Sequence, residues 1–189
     1  MDVEIEAKLK VDSLDEVEAK LHELGADFVA NQHQTDLQFD DADGRMASTD
    51  QCLRLRRQIV GESTRYVLTY KGPKMQSDVK KRREIEVDVG GDRAIQDILG
   101  ALGYEPKLTV EKTRSLWRFG GCEVGLDRLE LLGDFVEIEG PDSKRIGEVQ
   151  GRLGLSHLSH IACSYAGMIY AKQRADGGGD GGSERRGAI

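Results

Sequence analysis

The chain has 189 residues, of which 32% are charged, and a formal net charge of -7. That length suits one domain with room for a core, and the acidic total argues against general nucleic-acid binding, which shows as a basic excess. No apolar run approaches the length needed to cross a bilayer, and the N-terminus leads straight into a charged strand rather than a signal peptide. Cys52, Cys122 and Cys163 have no CxxC spacing, so they read as reduced packing residues of a cytoplasmic protein.

The first predicted element is a strand with a strict period of two, Val3-Glu4-Ile5-Glu6-Ala7-Lys8-Leu9. Alternation puts Glu4, Glu6 and Lys8 on one face and the apolar residues on the other. Taken alone, this is a half-exposed strand with its charges toward water. A helix follows, with Ser13 as N-cap, Glu16 completing a capping box, Leu14, Val17, Leu21 and Leu24 at helical spacing, and Gly25 at its end. Residues 28–40 read as a strand. The acidic segment 40–44 lacks the later ligands of a calcium loop and reads as a turn.

A hairpin is predicted over 51–71. Its first strand puts Arg54 and Arg56 opposite Leu53 and Leu55, and its second puts Arg65, Thr69 and Lys71 opposite Tyr66, Leu68 and Tyr70. Residues 79–89 form another strand, with Lys80, Arg82, Glu84, Glu86 and Asp88 on one face, while Arg57, Lys81 and Arg83 have the outward parity. A second helix is predicted at 92–102. Strands follow at 106–119 with Lys112 and Arg114 on one face, at 122–131 with Glu123 and Asp127, and at 134–140 with Phe135, Glu137 and Glu139. Helices are predicted at 143–153 and 160–172. His157 and His160 form an HxxH pair without a third ligand and read as solvated or capping residues. From about Arg174 the chain is Gly, Asp, Ser and Arg, so residues 173–189 are expected to form a disordered tail beyond a single domain of residues 1–172.

Some eight strands, mostly antiparallel neighbours, each carry one charged and one apolar face. The apolar face must be covered, and amphipathic helices can cover it from outside. The expected fold is therefore α+β: an eight-stranded antiparallel barrel that encloses its charged faces, with helices on the exterior. Such an interior is costly unless its charges pair with each other or with a ligand. Arginine and lysine neutralise phosphate oxygens, and paired carboxylates hold hard divalent cations that also bridge polyphosphate oxygens. A row of bases with clustered acids therefore fits a polyphosphate with metal, and no P-loop or GxGxxG is present.

An ordered series of motifs resembles the CYTH, or triphosphate tunnel metalloenzyme, superfamily. It runs through Glu4-Ile5-Glu6-Ala7-Lys8, Leu53-Arg54-Leu55-Arg56, Thr69-Tyr70-Lys71-Gly72-Pro73, Arg82-Arg83-Glu84-Ile85-Glu86, Lys112-Thr113-Arg114, Leu126-Asp127 and Leu132-Gly133-Asp134-Phe135-Val136-Glu137-Ile138-Glu139. The third and last of these look most like the class IV adenylate cyclase branch. The resemblance implies Mg²⁺ or Mn²⁺ on Glu4, Glu6, Asp127, Glu137 and Glu139. It implies triphosphate binding by Lys8, Arg54, Arg56, Lys71, Arg82, Lys112 and Arg114, with Lys8, Lys71 and Arg114 assigned to catalysis and Arg65, Glu84 and Glu86 in support. It also implies a homodimer.

One departure is Gln38, within Asp36-Leu37-Gln38-Phe39, where relatives often carry a Tyr that helps a lysine activate water in thiamine triphosphatases. That lowers the thiamine triphosphatase reading specifically. The expected function is conversion of ATP to cyclic AMP and pyrophosphate. The alternatives are hydrolysis of a nucleoside, inorganic or organic triphosphate, and binding without turnover.

Overall fold

The period of two in the first strand recurs around a closed barrel. The computed structural model describes residues 2–177, with strands β1 (Asp2–Lys10), β2 (Asp27–Asp40), β3 (Cys52–Val60), β4 (Ser63–Lys74), β5 (Lys80–Val89), β6 (Glu105–Phe119), β7 (Cys122–Leu129) and β8 (Gly133–Glu139). Their order around the barrel is β1-β5-β4-β3-β2-β6-β7-β8, with β8 returning to β1. Every neighbouring pair is antiparallel. The helices are α1 (Leu14–Glu23), α2 (Arg45–Ser48), α3 (Arg93–Ala101), α4 (Ser143–Arg152) and α5 (Tyr165–Gly177). The expected fold class is thus the observed one.

Closure removes every sheet edge and leaves two faces, outside and lumen. The outward residues Ala7, Leu9, Trp117, Val124, Val136 and Ile138 are buried beneath Leu14, Val17 and Leu21 of α1 and Ile146 and Val149 of α4. The α1 cap is the expected one, with Ser13 Oγ accepting the amide of Glu16 at 3.4 Å. Across the barrel, α3 lays Leu99 on Leu55 and Phe39. The tight β6–β7 hairpin pairs Phe119 with Cys122 across Gly120-Gly121. Both glycines have positive φ, 60° and 78°, as the turn type that matches strand twist requires.

Two local expectations shift. The segment after Asp40 is more than a turn, because Asp40 and Asp41 carboxylates accept the amides of Asp43, Arg45, Met46 and Ala47 and cap the short helix α2. The last helix begins at Tyr165 and continues to Gly177, so residues 173–177 of the expected tail are helical; the remainder, 178–189, lies outside the described residues.

α5 decides the shape of the lumen. Its Tyr165 and Ile169 pack on Val110, Leu129 and Phe135, whose strand parity is that of the inward-facing Lys112, Asp127 and Glu137. An apolar plug therefore packs α5 against the lumen wall at one end. No helix among the described residues is long and apolar enough to cross a membrane.

Candidate active site

Strand register sets which charges meet. Glu4 lies opposite Arg82 and Glu6 opposite Lys80 across β1–β5, and Lys8 lies opposite Glu137 and Glu6 opposite Glu139 across β1–β8. All of these residues line one cavity of about 630 Å³, together with Arg54, Arg56, Lys71, Glu84, Glu86, Lys112 and Arg114. The outward parity expected for Arg57, Lys81 and Arg83 holds, since none of them lines it.

The cations are held by acids on neighbouring strands. Lys71 Nζ bonds Glu4 at 2.6 Å and Glu84 at 3.0 Å. Arg56 forks onto both oxygens of Asp36, at 2.7 and 2.8 Å. Arg54 reaches Thr69 Oγ1 at 3.1 Å and Glu86 at 3.3 Å. Arg82 donates to Asp50, a residue held at φ 54°, at 3.3 Å. Lys8 Nζ sits 3.2 Å from Glu137 and 3.8 Å above the Tyr165 ring, a cation–π contact strengthened by desolvation. Arg65 also lines the cavity but joins none of these buried pairs: it is more than half exposed and pairs with exposed Asp88.

Asp127, expected among the metal-holding acids, has another place. It is fully buried and does not line the cavity. Its oxygens accept from Lys112 at 2.8 Å, from Arg114 at 2.6 Å on each oxygen, and from Tyr165 at 2.8 Å. With both oxygens occupied it anchors the bases from behind. Glu137 is also crowded by bases, with Lys8, Lys112 and Arg114 around it. Burial opposes its charge, but those cations hold its carboxyl well below the usual range.

Toward the end away from the plug the balance reverses. Glu6, Glu139 and Glu123 lie in register on β1, β8 and β7. Among the described residues Glu139 makes no ion pair. Its side chain is exposed at the end of β8, but partial desolvation beside the cavity wall, with Glu4 and Glu6 adding repulsion, raises its pKa to about 7. Glu84 is likewise raised to about 7, first by burial, with Lys71 opposing and Glu4 adding. Glu4 is lowered to about 2, because Lys71 and Lys80 outweigh its burial. Lys112 is lowered to about 8 by burial and by Arg114.

These carboxylates fit a hard divalent cation in donor chemistry. Glu4 Oε2 is buried without a partner, and Glu139 lines the cavity without an ion pair among the described residues. Among the described residues no three acids already converge at ligating geometry, because most of the acids are engaged by bases.

Several site residues escaped the sequence reading. Lys80, which binds Glu6, and Asp36 both have the inward parity and were legible in principle. Tyr165 stands at helical spacing with Ile161, Met168 and Ile169, which reads as packing rather than as a site, and Asp50 lies in a loop with no periodic signal. Gln32, Gln34 and Gln58 also line the cavity.

The chain matches the CYTH domain family model over residues 2–162. A Methanocaldococcus jannaschii protein, provisionally named an adenylate cyclase, is 33% identical over 137 residues, covering 72% of this chain and 76% of that protein. The solved structure of the PH1819 protein of Pyrococcus horikoshii has a TM-score of 0.77 at 29% identity, covering 89% of this chain and 99% of that one. A Hippeastrum protein, provisionally named an adenylyl cyclase and reported to have a dominant triphosphatase activity, has a TM-score of 0.69 over 89% of this chain and 96% of that one. At 20% identity that likeness shows the fold alone.

Proposed function

Because the chain belongs to the CYTH domain family, we propose that it is a metal-dependent adenylate cyclase of the class IV type, converting ATP to cyclic AMP and pyrophosphate inside the tunnel. The observation that carries this reading is the charged lining of the lumen. Buried cations from several strands line it beside the acids that hold them, and Glu139 is left without an ion pair among the described residues.

In this reading Lys8, Arg54, Arg56, Lys71, Arg82, Lys112 and Arg114 exchange their carboxylate partners for phosphate oxygens. Lys80 joins them. The 3′-hydroxyl of ATP attacks the α-phosphorus in line, a new ester bond forms, the bond to the bridging oxygen breaks, and pyrophosphate leaves with its charge met by these bases. The hydroxyl proton passes to a lumen carboxylate. Glu84, with its pKa near 7, is our candidate acceptor. Mg²⁺ or Mn²⁺ on Glu4, Glu6 and Glu139, with Glu137 beside them, supplies Lewis-acid polarisation when bound.

The second reading is a triphosphatase, in which water attacks the terminal phosphorus of a nucleoside, inorganic or other organic triphosphate. The same ring of bases favours it, and the Hippeastrum protein of like fold is reported to act so. Incubation with ATP or triphosphate plus Mg²⁺ or Mn²⁺, followed by product separation, decides between the two. Cyclic AMP with pyrophosphate supports the cyclase, and ADP or orthophosphate supports the hydrolase. Metal-dependent binding without any product reduces the protein to a binding module. We carry forward the homodimer as well: Ile85 and Val87 of β5, Ile98 of α3 and Leu102 at its C-cap are exposed apolar side chains. Sedimentation that finds only monomer at micromolar concentration removes it. A cytoplasmic location agrees with three unpaired cysteines.

A further inference from the structure

One stretch of the lumen wall carries no charge. On β2 and β3, toward the end opposite the plug, Gln32, Gln34 and Gln58 form a chain of amides facing the cavity. Gln34 Nε2 donates to Gln32 Oε1 at 2.6 Å and to Gln58 Oε1 at 3.4 Å. Gln34 is 2% exposed. With both its N–H groups spent, its Oε1 is left buried without a donor. A buried unsatisfied acceptor costs about 1–3 kcal/mol, so this oxygen calls for an N–H or O–H that the protein does not supply.

Neither of the site's other ligands supplies it. An ionised triphosphate offers acceptors only. A metal cation is disfavoured there, because Gln34 lies opposite Lys112 and Gln32 opposite Arg114 across β2–β6, and both bases line the cavity. What fits is an uncharged group with an N–H donor beside an acceptor. The donor meets Gln34 Oε1, and the acceptor meets the amide N–H groups of Gln32 or Gln58, whose oxygens face Gln34. Glutamine is the side chain that pairs with the amine edge of adenine by this geometry.

We infer that Gln34, with Gln32 and Gln58, is a nucleobase subsite, and that it selects nucleoside triphosphates bearing an exocyclic amine over bare triphosphate. The inference rests on the triphosphate reading above and names the substrate class of the same tunnel. The amide wall adjoins Lys112 and Arg114, so a base held there leaves its phosphates among the cations.

The test is equilibrium titration of the full chain in the presence of a chelator, so that nothing turns over. The ligands are ATP, purine riboside triphosphate (which lacks only the amine) and inorganic triphosphate. The expected result is that loss of the amine weakens wild-type binding on the order of tenfold. In Gln34→Met, ATP weakens by a similar factor, purine riboside triphosphate binds no more weakly than to wild type, and inorganic triphosphate is unchanged. If the amine makes no difference to wild type, the subsite is wrong; this arm needs no variant to fold. If Gln34→Met weakens inorganic triphosphate as much as ATP, Gln34 is a phosphate contact and the subsite is again wrong. If wild type binds none of the three, either with chelator or with Ca²⁺ in its place, the triphosphate reading itself falls and the subsite falls with it.

Discussion

Gly125 and Arg114 share one volume of the lumen wall: a Cβ on Gly125 would lie 2.9 Å from both Cζ and Nε of Arg114. Gly125 sits between inward-facing Glu123 and Asp127, at a position where the alternation would put a third side chain into the lumen. Its absence lets the guanidinium lie flat against the strand, forked onto Asp127 and touching Glu137. In Gly125→Ala, Arg114 must give up part of that fork. Charge-assisted bonds contribute about 1.5–3 kcal/mol, so triphosphate affinity or turnover should fall roughly 10- to 100-fold while the melting temperature moves by only a few degrees. Titration and thermal melting of the same variant check this. Unchanged binding would mean that Arg114 does not meet the ligand.

Asp127 is expected to act on stability more than on metal binding. Asp127→Ala leaves Lys112 and Arg114 buried without their main partner and should cost about 3–5 kcal/mol in urea unfolding. Tyr165→Phe removes one neutral donor from the same carboxylate and should cost about 1 kcal/mol. If Asp127→Ala keeps wild-type stability and loses only Mn²⁺ binding, Asp127 is a ligand after all.

Glu139 has the opposite profile. It makes no ion pair among the described residues and its charge is repelled by Glu4 and Glu6, so Glu139→Gln should not lower stability and should raise it modestly at neutral pH. The same change should weaken Mn²⁺ binding at least tenfold, read by calorimetry with inorganic triphosphate present. Retained metal affinity in this variant would remove Glu139 from the metal set.

The raised pKa of Glu84 predicts a pH dependence of the metal-free protein. The folded chain holds a proton on Glu84 up to about pH 7, whereas the unfolded chain releases it near 4.5. Between those values the folded state binds the extra proton, so this group's contribution to stability falls as pH rises from 4.5 to 7. Glu4 does the reverse, with its contribution present above 4.5 and lost only as pH falls toward 2. Thermal melting with chelator from pH 5 to pH 8 should therefore show a downward slope that is flattened in Glu84→Gln. An identical slope in the two proteins would place the Glu84 pKa at its ordinary value.

The barrel was legible because its evidence is local. Glu4-Ile5-Glu6-Ala7-Lys8 and Leu53-Arg54-Leu55-Arg56 each declare two faces, and antiparallel hairpins between them leave few topologies. The inward face could be named strand by strand, which is why Lys8, Arg54, Arg56, Lys71, Arg82, Lys112 and Arg114 gather in one cavity as expected. Parity does not say which inward residue meets solvent or ligand and which is sealed behind another. Asp127 and Glu137 share the inward side, yet Asp127 lies beneath a lysine, an arginine and a tyrosine.

The sequence by itself determined the period, and the period determined two faces, a charged lumen and an exterior that helices must cover. Only the tertiary structure decided the rest, because it depends on groups far apart in the chain arriving at one place. Tyr165 reaches Asp127 from a helix 38 residues on, α5 sets Ile169 on Val110 and Phe135, and Gly125 yields its space to Arg114. Desolvation and charge pairing act through distance in space, so which carboxylates stay ionised and which hold a proton near neutrality could be fixed only after the strands had closed.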